Sequence, residues 1–148
     1  MTVRSFIVVS FAIVALASCA TGGSGEQAPF NPAACSLRDF NVYFEGGATE
    51  ISPAARESIG AVGDALRGCR INHVRIIGSA GAVGGVAASD ERSEQRALVL
   101  ADYLSQRFGW PRSLMELLAT GERGAVTDEG LDVPMRRRAR ITVDAVAP

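Results

Sequence analysis

The sequence predicts an α+β domain, a two-layer α/β sandwich in the order β-α-β-α-β-β with both helices on one side of a mixed sheet. Three stretches carry that expectation. From Val74 to Leu104 an apolar run gives way to glycines and then to a helical period. Between Ser52 and Gly68 one apolar stripe repeats at helical spacing. From Ala139 to Ala145 apolar and polar residues alternate, the mark of a strand with one wet face.

Each element has its own local cause. Phe40 to Phe44 (FNVYF) is aromatic and β-branched, hence a strand, and Gly46-Gly47 breaks it. Ser52-Pro53 starts a helix, the hydroxyl as N-cap and the proline at the first helical position. Ala55, Ile59, Val62 and Leu66 form its apolar stripe, and Gly68 ends it. Val74, Ile76 and Ile77 make a buried strand bounded by Gly78. Gly78, Gly81, Gly84 and Gly85 then hold off regular structure until about Ser89. There a helix begins, with Arg96, Leu100, Tyr103 and Leu104 on one face, and it closes at Gly109-Trp110-Pro111. Leu114 to Ala119 reads as a helical turn running into a strand, and Gly121 to Val133 as polar loop. The last strand alternates Ala139, Ile141, Val143 and Ala145 with Arg140, Thr142 and Asp144.

The front of the chain is different. Arg4 is the first charge, and a 12-residue apolar run follows from Phe6 to Ala17, too short to span a bilayer comfortably. Leu16-Ala17-Ser18-Cys19 then looks like a bacterial lipobox, so residues 1–18 are expected to be a cleaved leader and Cys19 the lipidation site. Each buried lipid methylene would contribute about 0.8 kcal/mol to membrane attachment. Residue 20 is Ala rather than the Asp that resembles an inner-membrane retention signal, which favours the outer membrane, periplasmic face. Residues 19–34 are rich in Gly, Ser and Pro and read as a flexible tether, with the domain at 35–148.

Composition excludes several functions. The chain has 148 residues, 47% apolar and 21% charged, as a globular protein does. Its net charge of −1 shows no global bias towards nucleic acid. All 15 basic residues are arginine, so phosphate-loop chemistry, which needs a lysine, is out. One histidine leaves no metal site, and no cofactor is called for. Gly78-Ser79-Ala80-Gly81 invites a serine-hydrolase reading, but the elbow needs glycine where Ile77 stands, and His73 precedes the serine. The chain is expected not to be an enzyme. Arg136, Arg137, Arg138 and Arg140 form the one basic cluster, read as a solvated guard on an edge strand in preference to an anion patch.

With Cys19 lipidated, Cys35 and Cys69 remain. Export to an oxidising compartment makes them a disulfide candidate, and they flank the start of the first strand and the end of the first helix. Such a bond would stabilise by about 3–4 kcal/mol in the chain-entropy model. The alternative is two separate buried thiols.

Together these residues resemble the OmpA-like peptidoglycan-associated domain family. VYFEGGATEISPAAR (Val42–Arg56) is similar to its opening strand, acidic residue and helix start, with Gly46 where the family has a second phenylalanine. Gly78 to Ala97 lies on its central motif without a gap, including Ser93 and Arg96-Ala97. Gly109-x-Pro111, Gly121-Glu122 and the closing RRRARITV resemble its GxP, GxGE and NRRVEI. The likeness covers about residues 38 to 146.

The resemblance implies non-covalent binding of peptidoglycan through the diaminopimelate of its stem peptide. In the family a helix arginine pairs with a carboxylate and a loop aspartate takes the ammonium, as guanidinium and carboxylate chemistry suits. The arginine position is Arg96 and the aspartate position is Gly81, so half of the clamp is missing. Ser89 replaces the family's asparagine and Arg92 a usual leucine, and Ser93 is retained. Losing one charge-assisted bond weakens binding roughly ten- to a hundredfold. Asp90 and Glu91 either reach the site or, the favoured reading, serve the helix dipole in its first turn. Arg96 either binds ligand or bonds loop carbonyls around Gly81–Gly85. The competing function is a degenerate domain, a structural or interaction module whose partners are other envelope proteins.

Overall fold

The computed structural model describes residues 30–148. The leader, Cys19 and the tether up to residue 29 lie outside the described residues. Strand β1 (Arg38–Tyr43) leads to helix α1 (Pro53–Ala65), β2 (Arg70–Gly78), helix α2 (Gly85–Phe108), β3 (Met115–Ala119) and β4 (Arg138–Val146). The order is the expected β-α-β-α-β-β, and the strands form one mixed sheet in the order β1-β4-β2-β3. β4 runs antiparallel to β1 on one side and to β2 on the other, while β3 runs parallel to β2.

The period-two alternation of β4 sets the core. Ala139, Ile141, Val143 and Ala145 pack with Val42 of β1 and with Val74 and Ile76 of β2. Ile59 from α1 and Ala97, Leu100 and Leu104 from α2 close that layer. Each large apolar side chain buried this way stabilises by about 1.5–3 kcal/mol. The other face of the sheet is charged and wet. There Arg140 pairs with Asp39 across β4 and β1, and Arg75 Nε donates to Glu116 Oε2 at 2.7 Å across β2 and β3.

Local chemistry fixes the element ends. Ser52 Oγ accepts the Ala55 N–H at 3.2 Å with Pro53 at the first helical position, as the sequence implies. A 3-10 turn at Arg112–Leu114 runs into β3, so the turn expected before the strand lies slightly earlier and the strand takes up Met115–Ala119. Among the described residues no helix is long and apolar enough to cross a membrane.

Two expectations are corrected. Helix α2 begins at Gly85, four residues before Ser89, because Gly84 and Gly85 adopt left-handed φ of +92° and +84° and turn the loop straight into the helix. Asp90 and Glu91 therefore fall in its second turn, and the first turn holds no acid. The arginine cluster guards no edge, since β4 lies between β1 and β2. Arg137 precedes β4 and pairs with Asp132, and Arg140 pairs with Asp39, so the cluster is divided among separate partners.

Cys35 and Cys69 form a disulfide, with Cα atoms 5.5 Å apart. It ties the segment before β1 to the start of β2. A 3-10 turn at Pro32–Ala34 precedes it, and the Phe30 ring lies against Gly68, where an added Cβ would stand 2.9 Å from the ring. None of the residues of that turn is buried.

Candidate functional site

At the opposite end of the sheet, three loops meet the first half of α2: the β1–α1 loop, the β2–α2 loop and the β3–β4 loop. Position 89, 93 and 96 of the helix face them at helical spacing, and Ser89, Ser93 and Arg96 are all fully buried. These are the polar residues of a face that otherwise continues as Ala97, Leu100 and Leu104.

Arg96 holds two of the loops. Its Nε donates to the Ala48 carbonyl at 3.0 Å, its Nη2 to Gly46 at 3.1 Å and its Nη1 to Ser79 at 2.8 Å. Its guanidinium lies over the Phe44 ring, 4.8 Å from the centroid. Of its five N–H groups, three are spent on backbone carbonyls. Burial, and then the charges of Arg92 and Arg137, lower its pKa to about 10, so it is a cation at neutral pH. Arg96 thus has a structural role, but its acceptors are the carbonyls of Gly46, Ala48 and Ser79, not those of Gly81–Gly85 that the sequence suggested.

The serines hold the rest. Ser93 Oγ donates to the Asp90 carbonyl at 2.8 Å and accepts the Gly121 N–H at 3.0 Å, fixing the β3–β4 loop to α2. Ser89 Oγ lies 3.0 Å from the Gly81 carbonyl and 3.3 Å from Glu122 Oε2, with one proton to share between them. Thr120 Oγ1 donates to the Gly78 carbonyl at 3.0 Å and sits 2.9 Å from Ser79 Oγ. Gly78 allows this closeness: a Cβ there would collide with the Ser93 carbonyl oxygen, so β2 and α2 touch backbone to backbone.

Gly81 is buried, and the direction its side chain would take is occupied by Arg137. A Cβ at Gly81 would stand 3.3 Å from Arg137 Nε and 3.4 Å from its Cγ. On the other flank, Arg92 Nη1 donates to the Val83 carbonyl at 3.1 Å, and its guanidinium lies between Gly47 and Gly84. Both arginines are half-buried. The end of the sheet thus carries three guanidiniums. Three carboxylates stand near them: Asp132 is paired with Arg137, Glu122 lies 3.3 Å from Ser89 Oγ, and the Asp90 carboxylate lies against Gly121 of the β3–β4 loop.

The structure accordingly brings together Arg96, Ser93, Ser89 and Gly81, and places Cys35 and Cys69 at the far end. Cys19 lies outside the described residues. Sequence reasoning missed Arg137 and Glu122 as neighbours of Gly81. The signals were present in Gly121-Glu122 and the arginine run, but assigning that run to an edge strand hid its place. Ser79 does not meet His73, which lies on the exposed face of β2, 3.6 Å from Glu116. Among the described residues no three His, Cys, Asp or Glu side chains group as metal ligands.

The sequence model of the OmpA family matches residues 43–140. No curated protein matches in sequence. Among solved structures, the OmpA-like domain of FopA1 from Francisella tularensis superposes with a TM-score of 0.61 at 16% identity, over 74% of each chain. The peptidoglycan-associated lipoprotein from Burkholderia pseudomallei gives 0.54 at 20% identity, over 70% of this chain and 88% of that one. The cell wall anchor of the type VI secretion system (T6SS) from Pseudomonas aeruginosa gives 0.54 at 19%, over 76% and 81%. At these identities the likeness is one of fold.

Proposed function

Since this chain belongs to the OmpA family, a family of non-catalytic binding domains, we propose that it is a lipoprotein, anchored through Cys19 to the outer membrane, whose domain associates non-covalently with peptidoglycan. The domain would present the three-loop end of its sheet to a diaminopimelate stem peptide, with Arg96, Ser93, Ser89 and Gly81 at the floor. One observation carries this reading. The buried Arg96 guanidinium bonds Gly46, Ala48 and Ser79, which keeps the loops of the candidate site in one arrangement under a positive charge. Its two remaining N–H groups would meet a ligand carboxylate after a small parting of those loops. Solved structures described as a peptidoglycan-associated lipoprotein and a cell wall anchor share the fold, which supports the reading.

A second reading has its own observation. Gly81 offers no acid to an ammonium, and Arg137 fills the space beside it. That favours weakened binding or a module that serves other envelope proteins. Co-sedimentation of the soluble domain with purified peptidoglycan sacculi separates the two. Attachment requires the parent domain to pellet with sacculi, and Cys19→Ser to release the full chain from the membrane fraction. If the parent stays in the supernatant while Gly81→Asp pellets, the domain has lost the ligand.

A further inference from the structure

The candidate site carries charges of both signs close together on one short piece of backbone. Arg137 is paired with Asp132. Arg96 is fully buried and donates to three backbone carbonyls, with two N–H groups left over. Glu122 is placed differently. Its Oε2 lies 3.3 Å from Ser89 Oγ, and that buried hydroxyl lies 3.0 Å from the Gly81 carbonyl. One hydroxyl proton thus serves a carboxylate and a carbonyl, and it satisfies only one of them at a time. The Asp90 carboxylate adds to this side, set against Gly121 next to Glu122. Among the described residues the ion pairs engage Asp39, Asp64, Asp102, Glu116 and Asp132, and neither Glu122 nor Asp90. A corner with acceptors in excess of donors suits a group that brings N–H bonds and positive charge together.

The spacing of the two charges narrows the group further. Arg96 Nη1 donates to the Ser79 carbonyl at 2.8 Å, while Ser89 and Glu122 stand at the Gly81 carbonyl. Two residues of backbone separate those carbonyls, a span of at most about 7 Å. An α-amino acid head has its ammonium and carboxylate on one carbon. With a hydrogen bond of about 3 Å at either end it bridges that distance. The side-chain end of diaminopimelate in an uncross-linked stem is such a head, whereas in a cross-link its amine is a neutral amide. Resting on the peptidoglycan reading, we propose that Glu122 is the residue by which this site demands a free amine. Its carboxylate takes the ammonium beside Ser89 and the Gly81 carbonyl, while Arg96 takes the carboxylate. The anionic half of the site then comes from the β3–β4 loop and not from position 81. That loop is held in place on both sides of one peptide: the Gly121 N–H donates to Ser93 Oγ at 3.0 Å, and the Gly121 carbonyl accepts the Ala80 N–H at 2.8 Å. Glu122 is therefore positioned before any ligand arrives, which lowers the ordering cost of binding.

The test uses two synthetic stem tripeptides containing diaminopimelate, one with the side-chain amine free and one with it acetylated. Both are titrated by calorimetry into the soluble chain from residue 20 onwards. The parent is expected to bind the free-amine peptide at least about tenfold more tightly, the scale of one charge-assisted contact. Glu122→Gln keeps the size of the side chain and removes its charge. It is expected to bring the two affinities together by weakening the free-amine peptide alone, with circular dichroism unchanged. Asp90→Asn is expected to leave most of the preference in place, since Asp90 is exposed. Equal affinities in the parent, or a preference for the acetylated peptide, overturn the role of Glu122 and leave peptidoglycan binding standing. So does a preference that survives Glu122→Gln, or one that Asp90→Asn abolishes. A Glu122→Gln chain that loses both peptides alike makes Glu122 a structural residue of the loop, which also overturns the proposal. If the parent binds neither peptide nor sacculi, the ligand reading itself fails and the role of Glu122 with it.

Discussion

At the scale of one residue, Arg96 decides the shape of the site. Three backbone carbonyls from two loops converge on one guanidinium that is shut off from water. Removing it leaves those acceptors buried without donors, each a loss of about 1–3 kcal/mol. Lysine cannot stand in, because its donors radiate from one atom and do not fork towards Gly46, Ala48 and Ser79 together. Arg96→Lys is therefore expected to cost about 3 kcal/mol or more, read as a fall in the urea midpoint at unchanged slope. A loss under about 1 kcal/mol would show that the loops hold themselves. The sequence announced an inward arginine on an otherwise apolar helix face. It did not announce the partners, because Gly46 and Ala48 lie some fifty positions away and bond through their backbone, which no side-chain pattern records.

At the scale of elements, the closeness of neighbouring elements explains which glycines tolerate a methyl group. Gly60 and Gly63 both lie in α1, where alanine normally favours the helix by about 1 kcal/mol. Nothing stands within 4 Å of a Cβ at Gly60, whereas one at Gly63 would strike the Phe108 ring of α2. Gly60→Ala is expected to stabilise by about 0.5–1 kcal/mol and Gly63→Ala to destabilise by about 1–3 kcal/mol. Gly78→Ala, which drives a methyl into the Ser93 carbonyl, is expected to prevent folding. Thermal melts of the three variants check this, and a Gly63→Ala domain as stable as the parent would contradict the helix–helix contact. Strand and helix identities were legible because β4 keeps period two and α1 keeps one apolar stripe. The start of α2 was not, because a glycine pair reads as loop whether or not it turns into a helix. The position of β4 was not either, since insertion of the last strand between β1 and β2 leaves no local mark on its residues.

At the scale of the whole molecule, β2 separates two poles with different tasks. Its nine residues span about 30 Å, from Arg70 beside the Cys35–Cys69 bond to Gly78 beside Arg96. The chain enters the domain at the disulfide pole, where Phe30 covers Gly68, and the candidate site faces the other way. A tether to a membrane would thus hold the disulfide pole towards the lipid and the loops towards the wall. The bond closes a loop with a sequence separation of 34, for which the chain-entropy model gives a stabilisation of about 3–4 kcal/mol. That contribution is global, because it restricts the unfolded chain, and it involves no atom of the site. Cys35→Ser with Cys69→Ser is therefore expected to lower the urea midpoint by the corresponding amount while leaving peptide affinity unchanged at temperatures where the variant stays folded. Sites more than about 10 Å apart with no shared partner ordinarily behave this independently. Affinity that falls along with stability would instead mean that the two poles are coupled through β2, and that tension on the tether reaches the loops.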